Sequence, residues 1–262
     1  MSVTRRNAVS VQGTGDRTLM FAHGYGCDQN MWRHLTPAFQ DDYRIVLFDH
    51  VGCGKSDPSA FSKSRYSSLA AYARDVVEII DELRLDRVIF VGHSVSSMIG
   101  ALAALERPEA FESLIMIGPS PCYINQGDYY GGFESADIIG LLEMLETNHL
   151  GWSAAMAPLM MGNSEDPALT AELEASFCRT NPAFAQHFAR VTFLSDNRTD
   201  LPDLKTRTLI LQCQEDVIAP AAVGEYCHKC IPNSQFVTLG ASGHCPHMSA
   251  PQQVIQAIKS FL

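Results

Sequence analysis

The chain has no run of about 18 consecutive apolar residues, so nothing in it argues for a membrane-spanning helix. Basic residues are outnumbered: 19 Lys and Arg stand against 29 Asp and Glu, and the formal net charge is −10. That balance argues against non-specific binding to nucleic acid or to an anionic membrane. The segment Met1 to Asn7 is short, polar and basic, with no apolar stretch behind it, so no secretory signal is expected. A compact disulfide framework is also missing. The eight cysteines are scattered over probable strands, turns and helices, which predicts a reducing, cytoplasmic setting. Cys227-His228-Lys229-Cys230 has C-x-x-C spacing, but it ends an amphipathic helix, Ala221 to Cys230, and no second ligand pair accompanies it. Neither a metal nor a cofactor is expected.

What is present is an α/β pattern. Apolar residues make up 46 % of the 262 and charged residues only 18 %, enough to bury a large core. Apolar runs at Leu19 to Ala22, Ile45 to Asp49, Val88 to Val91 and Ser113 to Gly118 alternate with helical stretches. That alternation predicts a mostly parallel sheet flanked by helices. The core pattern runs from about Val3 to Gly118 and resumes near Asp203. Between them, residues of about 121–200 carry helical signals instead: Ser135 to His149, Trp152 to Met161, Leu169 to Phe177 and Pro182 to Leu194. This stretch reads as a helical insertion, a lid. Most of its large apolar side chains should pack its own helices together. A lid over a site should also line an apolar pocket, and Tyr123, Phe133, Trp152, Met156 and Phe193 are the expected lining.

The most informative segment is Val88-Ile89-Phe90-Val91-Gly92-His93-Ser94-Val95-Ser96. A buried strand runs into small residues and then a helix, which is the setting of a nucleophile elbow with Ser94 at its turn. The motif departs from G-x-S-x-G at its last position, where Ser96 stands; serine is still small enough for close helix packing. Upstream, the run from Leu19 leads into His23-Gly24-Tyr25-Gly26, the loop that supplies a second oxyanion donor in α/β-hydrolases. The backbone N–H groups of Tyr25 and Val95 are therefore the expected oxyanion pair. Downstream, Thr208 to Cys213 leads to Gln214-Glu215-Asp216, and Gly243-His244 follows the strand Phe236 to Leu239. The order Ser94, Asp216, His244 is the order of triad partners in that fold.

Competing residues are few. His23 and His93 suit packing and loop support, and His247, three residues after His244, is the rival base. Glu215 should face away, and Asp49 should anchor the glycine turn Gly52 to Pro58. The alternative acid position, Ser120-Pro121-Cys122, offers no carboxylate. The chemistry that follows is attack of Ser94 on a small apolar ester or lactone, with His244 as base and Asp216 fixing its tautomer.

The chain also resembles a known family. Gly92-His93-Ser94-Val95-Ser96, Ile115 to Tyr123, His23 to Gln29, Tyr129 to Glu134, Gly140 to Met144, Leu211-Gln212-Cys213 and Gly243 to Ser249 resemble RsbQ-type α/β-hydrolases. These are bacterial relatives of the plant strigolactone and karrikin receptors. The resemblance covers essentially the whole chain. It implies one α/β-hydrolase domain over residues 1–262, four lid helices over a small hydrophobic cavity, the triad Ser94, Asp216 and His244, and the oxyanion pair Tyr25 and Val95. It implies butenolide-like ligands and, in one branch, a partner phosphatase that carries a sensor domain. Tyr25 stands where this family more often has phenylalanine, which implies a hydroxyl at the pocket mouth. Ser96 resembles the plant receptors, and Gly52 to Asp57 the bacterial branch.

Overall fold

A computed structural model describes residues 2–162 and 166–262. Seven strands form one sheet: β1 (Ser10–Gln12), β2 (Arg17–Ala22), β3 (Tyr43–Phe48), β4 (Val88–His93), β5 (Phe111–Ile117), β6 (Arg207–Glu215) and β7 (Ser234–Ser242). Their order is β1-β3-β2-β4-β5-β6-β7. All pairs are parallel except β1 with β3. The inner strands are apolar on both faces because helices cover both faces. Leu19 to Ala22, Val88 to Val91 and Leu114 to Ile117 are all buried.

Helices α1 (Val3–Arg6), α2 (Leu69–Glu82) and α3 (Val95–Glu106) precede the insertion. On α2, Leu69, Tyr72, Ala73, Val76, Ile79 and Ile80 repeat at three and four and form its buried face. Four helices then fill the gap between β5 and β6: α4 (Ser135–Thr147), α5 (His149–Met161), α6 (Pro167–Arg179) and α7 (Pro182–Phe193). They match the expected helical stretches to within a few residues. Helix α5 packs on α4 and α6, and α4 packs on α7. Asn148, Asp166 and Asn181 cap α5, α6 and α7 with side-chain oxygens. The chain closes with α8 (Ala221–Cys230), α9 (Pro246–Ser249) and α10 (Pro251–Phe261).

Two features lie outside the sequence expectations. Strand β1 is three exposed residues on the sheet edge, paired to Ile45–Leu47, too short and too exposed to show a pattern. Strands β6 and β7 run on past Cys213 and Leu239 with a shift in register, and this extension carries the chain toward Asp216 and His244.

Candidate active site

Three strands of the parallel sheet deliver the candidate residues at their carboxyl ends. Ser94 sits between β4 and α3 with φ 56° and ψ −123°, a conformation that L-residues rarely adopt. Such a residue costs on the order of 1–3 kcal/mol and persists only where its surroundings over-determine it. Here its N–H donates to the Ile117 carbonyl at 2.8 Å. The turn also demands glycine at position 92, where a Cβ would lie 2.4 Å from the Ser96 carbonyl oxygen.

Ser94 Oγ is 2.7 Å from His244 Nε2, and His244 Nδ1 is 2.7 Å from Asp216 Oδ2. All three residues are buried. The other Asp216 oxygen accepts the Ile218 and Ala219 N–H groups at 2.8 and 3.0 Å. Burial alone pushes the Asp216 carboxyl up, but His244 and these hydrogen bonds outweigh it and hold the group below its usual range. An ionised Asp216 can only accept a hydrogen bond, so Nδ1 carries the proton and Nε2 is left to face Ser94 as an acceptor. The loop carrying His244 is clamped by the insertion. His244 N–H donates to Met160 C=O at 2.7 Å, and Gly243 N–H donates to Glu215 C=O at 2.7 Å. A Cβ at Gly243 would lie 1.9 Å from the Met161 carbonyl oxygen, so the close approach requires glycine.

The His-Gly loop passes beside the serine. A Cβ on Gly24 would lie 3.4 Å from Ser94 Cβ and 2.4 Å from His93 Nδ1. The next residue is Tyr25, and Val95 opens α3, whose first N–H groups have no partner within the helix. Tyr25 itself is buried. Its ring meets Trp152 at 5.8 Å, Phe188 at 5.9 Å, Phe193 at 6.0 Å and Phe177 at 6.3 Å between centroids. Its hydroxyl does not open on a pocket mouth. It donates to the Ala185 carbonyl of α7 at 3.1 Å, tying the loop to the insertion. From the other side, Ser176 of α6 donates to Gly26 C=O at 2.8 Å.

The expected lining residues fall into two groups. Tyr123, Trp152, Met156 and Phe193 are all buried; Trp152 and Phe193 pack on Tyr25, and the Tyr123 and Phe193 rings are 5.1 Å apart. The Tyr123 hydroxyl lies beside Ser94. Phe133 does not belong to this ring cluster. It is half-buried, and its backbone pairs with Tyr123 and Asn125. Phe177 and Phe188 pack on Tyr25 instead, and no spacing in the sequence sets them apart from the other large residues of the insertion.

The rival residues have other work. His247 is fully buried, neither ring nitrogen has a partner among the described residues, and burial pushes its pKa well down. Its ring lies 4.9 Å from that of Trp32 and 4.3 Å from that of His93. His93 donates from Nε2 to the His244 carbonyl at 2.7 Å, and burial lowers its pKa to about 3. Asp49 holds the glycine turn, accepting Lys55 N–H and Gln29 N–H at 2.8 and 2.9 Å. Among the described residues, His93, Cys245 and His247 form the group whose donor atoms come close enough for a metal ion, all within 4.8 Å. Burial pushes the Cys245 thiol up and both imidazoles down, so this trio stays neutral and packs as a layer behind His244. Neither Cys227 nor Cys230 is disulfide-bonded.

Comparison with known proteins agrees with this architecture. The model of the "Alpha/beta hydrolase family" matches residues 19–257. The chain is 37 % identical over 257 residues to "Karrikin insensitive 2 receptor CA" of Petunia hybrida, covering 98 % of this chain and 95 % of that one. It is 39 % identical over 255 residues to "Strigolactone esterase D14" of Arabidopsis thaliana, covering 97 % and 95 %. Among solved structures, olei00960, a hydrolase from Oleispira antarctica, superposes with a TM-score of 0.97 at 43 % identity, covering 99 % of this chain and 95 % of that one. No described helix is long and apolar enough to cross a membrane. The sheet order, the strand-end Ser–His–Asp hydrogen bonds and these relatives converge: the chain belongs to the α/β-hydrolase family and is a hydrolase.

Proposed function

We propose that this hydrolase cleaves a small hydrophobic ester or lactone, butenolide-like in shape, with Ser94 as nucleophile. The observation that carries the reading is the unbroken chain from Asp216 through His244 to Ser94, 2.7 Å at each step, beneath a roof of aromatic rings. In the first half-reaction His244 Nε2 takes the Ser94 proton as Oγ attacks the carbonyl carbon. The Tyr25 and Val95 N–H groups receive the charge that develops on the carbonyl oxygen. The protonated imidazole then gives its proton to the departing alkoxide, leaving an acyl-serine. In the second half-reaction His244 takes a proton from water, hydroxide attacks the acyl carbon, and the acid leaves as Ser94 regains its proton.

Tyr123, Trp152, Met156 and Phe193, joined by Phe177 and Phe188, line the apolar side of the site in this reading. Residues 121–200 act as its lid over a single catalytic domain. A site roofed by packed aromatic rings has room for a short acyl chain or a small ring and excludes long-chain lipids by volume. The test is a panel of acyl esters and butenolides assayed with wild type and Ser94→Ala. Ser94-dependent turnover that falls with acyl length supports the reading. Efficient hydrolysis of an insoluble triglyceride contradicts the small closed site.

A second reading is favoured by one observation, the receptor names of relatives at 37 % identity over nearly the whole chain. In it, the protein is a ligand sensor of the RsbQ type, hydrolysing its ligand slowly, with the lid surface as output to a partner such as a phosphatase with a sensor domain. Within that resemblance Gly52 to Asp57 points to the bacterial branch, whereas Ser96 resembles the plant receptors. Turnover separates the two readings. A sensor turns over its ligand far below ~10 s⁻¹, and the ligand shifts the lid only through its different affinity for two lid states.

A further inference from the structure

A second serine and a second histidine meet behind the oxyanion loop. Ser96, the residue that replaces the last glycine of the elbow motif, is fully buried on α3. Its hydroxyl donates to the His23 carbonyl at 2.5 Å. His50, also fully buried, places Nε2 2.7 Å from the same Oγ. A hydroxyl has one proton, and here His23 C=O receives it. The His50 contact is therefore Nε2–H donating to Ser96 Oγ.

The rest of the network is set by the same logic. The His50 backbone N–H donates to His23 Nε2 at 3.1 Å, so that nitrogen is an acceptor. His23 then carries its proton on Nδ1, which donates to Gly24 C=O at 2.8 Å. Two consecutive carbonyls, those of His23 and Gly24, are thus pinned. Peptide units are planar and trans, so fixing the Gly24 carbonyl fixes the direction of the Tyr25 N–H on the opposite side of the same plane. His50 is neutral in this arrangement, as its burial requires. Its ring is held edge-on by Phe48 and Tyr72 and touched by Phe188 from the insertion.

We infer that His50 and Ser96 are positioning residues that aim the Tyr25 N–H at the oxyanion. This rests on the proposed role of Tyr25 as an oxyanion donor. Neither side chain needs to touch the substrate; they fix the His23 carbonyl, and with it the residue whose own imidazole holds the Gly24 carbonyl.

The test is steady-state kinetics on a chromogenic ester for wild type, Ser96→Ala, His50→Leu, His50→Gln and the double variant His50→Leu/Ser96→Ala. Removing a whole oxyanion donor costs ~10²–10³ in rate, so misaiming one is expected to lower kcat about tenfold with KM unchanged. His50→Leu should match Ser96→Ala, and the double variant should be no worse than either. His50→Gln keeps an N–H within reach of Ser96 and should recover most of kcat. Nitrogen-15 NMR of the wild-type imidazoles supplies a readout independent of folding in the variants, with His23 expected as the Nδ1–H tautomer. Wild-type kcat in Ser96→Ala, a loss confined to KM, equal losses in His50→Gln and His50→Leu, or an Nε2–H tautomer at His23 would each overturn the inference. A wild type without Ser94-dependent turnover would instead overturn the hydrolase reading, and the positioning role with it.

Discussion

The sheet and the helical insertion solve different problems with different residues. The sheet buries aliphatic side chains on both faces, such as Leu19, Ile89, Ile115 and Leu211, and it holds the proposed reacting groups on strand ends. The insertion packs aromatic rings on Tyr25, buries Met156, Met160 and Met161, and leaves Ile139, Met144, Leu150 and Leu159 exposed. A rigid, close-packed sheet fixes distances to tenths of an ångström, which proton transfer needs. A layer of large, adaptable side chains fixes shape, which selectivity needs. The two regions are not independent. Met160 and Ser176 of the insertion hydrogen-bond the loops carrying His244 and Tyr25, and the Tyr25 hydroxyl returns a bond to Ala185. The division therefore predicts that sheet substitutions strike kcat and that insertion substitutions strike selectivity and stability, except at these clamps.

The sharpest contrast lies in the triad. Ser94→Ala and His244→Ala are each expected to bring ester hydrolysis close to background, and to do so non-additively, because the triad acts as a unit. Asp216→Asn keeps the shape but loses the charge that selects the Nδ1–H tautomer, with an expected fall of up to ~10⁴ in kcat. Steady-state rates with circular dichroism to verify folding check all three. An active His244→Ala beside an inactive His247→Ala would move the base to the wrong histidine and break the account of the sheet.

The insertion should respond differently. Trp152→Ala removes a buried ring that packs on Tyr25 and Phe177. A loss of about 3–5 kcal/mol in stability is expected from denaturant unfolding, since large core aromatics cost that much. In whatever fraction remains folded, preference should move toward longer acyl chains by ~1–3 kcal/mol per methylene. An unchanged chain-length profile would remove Trp152 from the pocket.

Acid should reveal the buried neutral histidines. His50, His93 and His247 are all held below 6.5 by burial, His93 at about 3. Unfolded, each binds a proton near pH 6.5, so the unfolded state holds more protons than the folded state below that pH. Stability is then fully present above about pH 6.5 and falls as pH drops toward the folded values, by up to ~1.4 kcal/mol per pH unit for each histidine. Urea midpoints at pH 7.5 and pH 5 check this. A flat profile between them would mean that these imidazoles are not buried neutral.

The smallest effect is expected at the clamp. Tyr25→Phe removes one hydroxyl and its bond to Ala185 but keeps the backbone N–H, so stability should fall by about 1 kcal/mol with kcat nearly unchanged. A large loss of kcat would show that the insertion steers the oxyanion loop through that bond, and would erase the division between the regions.

Most of this arrangement was legible in the sequence where local chemistry leaves a pattern. Val88 to Val91 followed by Gly92 and Ser94 announces a strand and a strained turn, and Gly243 before His244 announces the loop that brings the base back. The insertion helices were visible through their three-and-four repeats. What the sequence withheld depends on long-range contact. Strand β1 has no buried face to set a period. Phe133 and Phe188 are both aromatic residues in the same segment, and only the packing of α7 on the core separates the one outside the cluster from the one inside it. The Tyr25 hydroxyl turned to Ala185, 160 residues away, and no spacing rule encodes that pairing. His50 carries no local sequence signal; its contact, Ser96, lies 46 residues away.

The central claim is that Ser94 forms a covalent acyl intermediate while His244 and Asp216 drive its formation. Intact-protein mass spectrometry after rapid acid quench with p-nitrophenyl acetate measures this directly. The account predicts one acetyl group on wild type, mapped to Ser94 by peptide fragmentation, none on Ser94→Ala, and slowed formation on Asp216→Asn. Acetylation of another residue in wild type, or undiminished turnover by a folded Ser94→Ala, would contradict it.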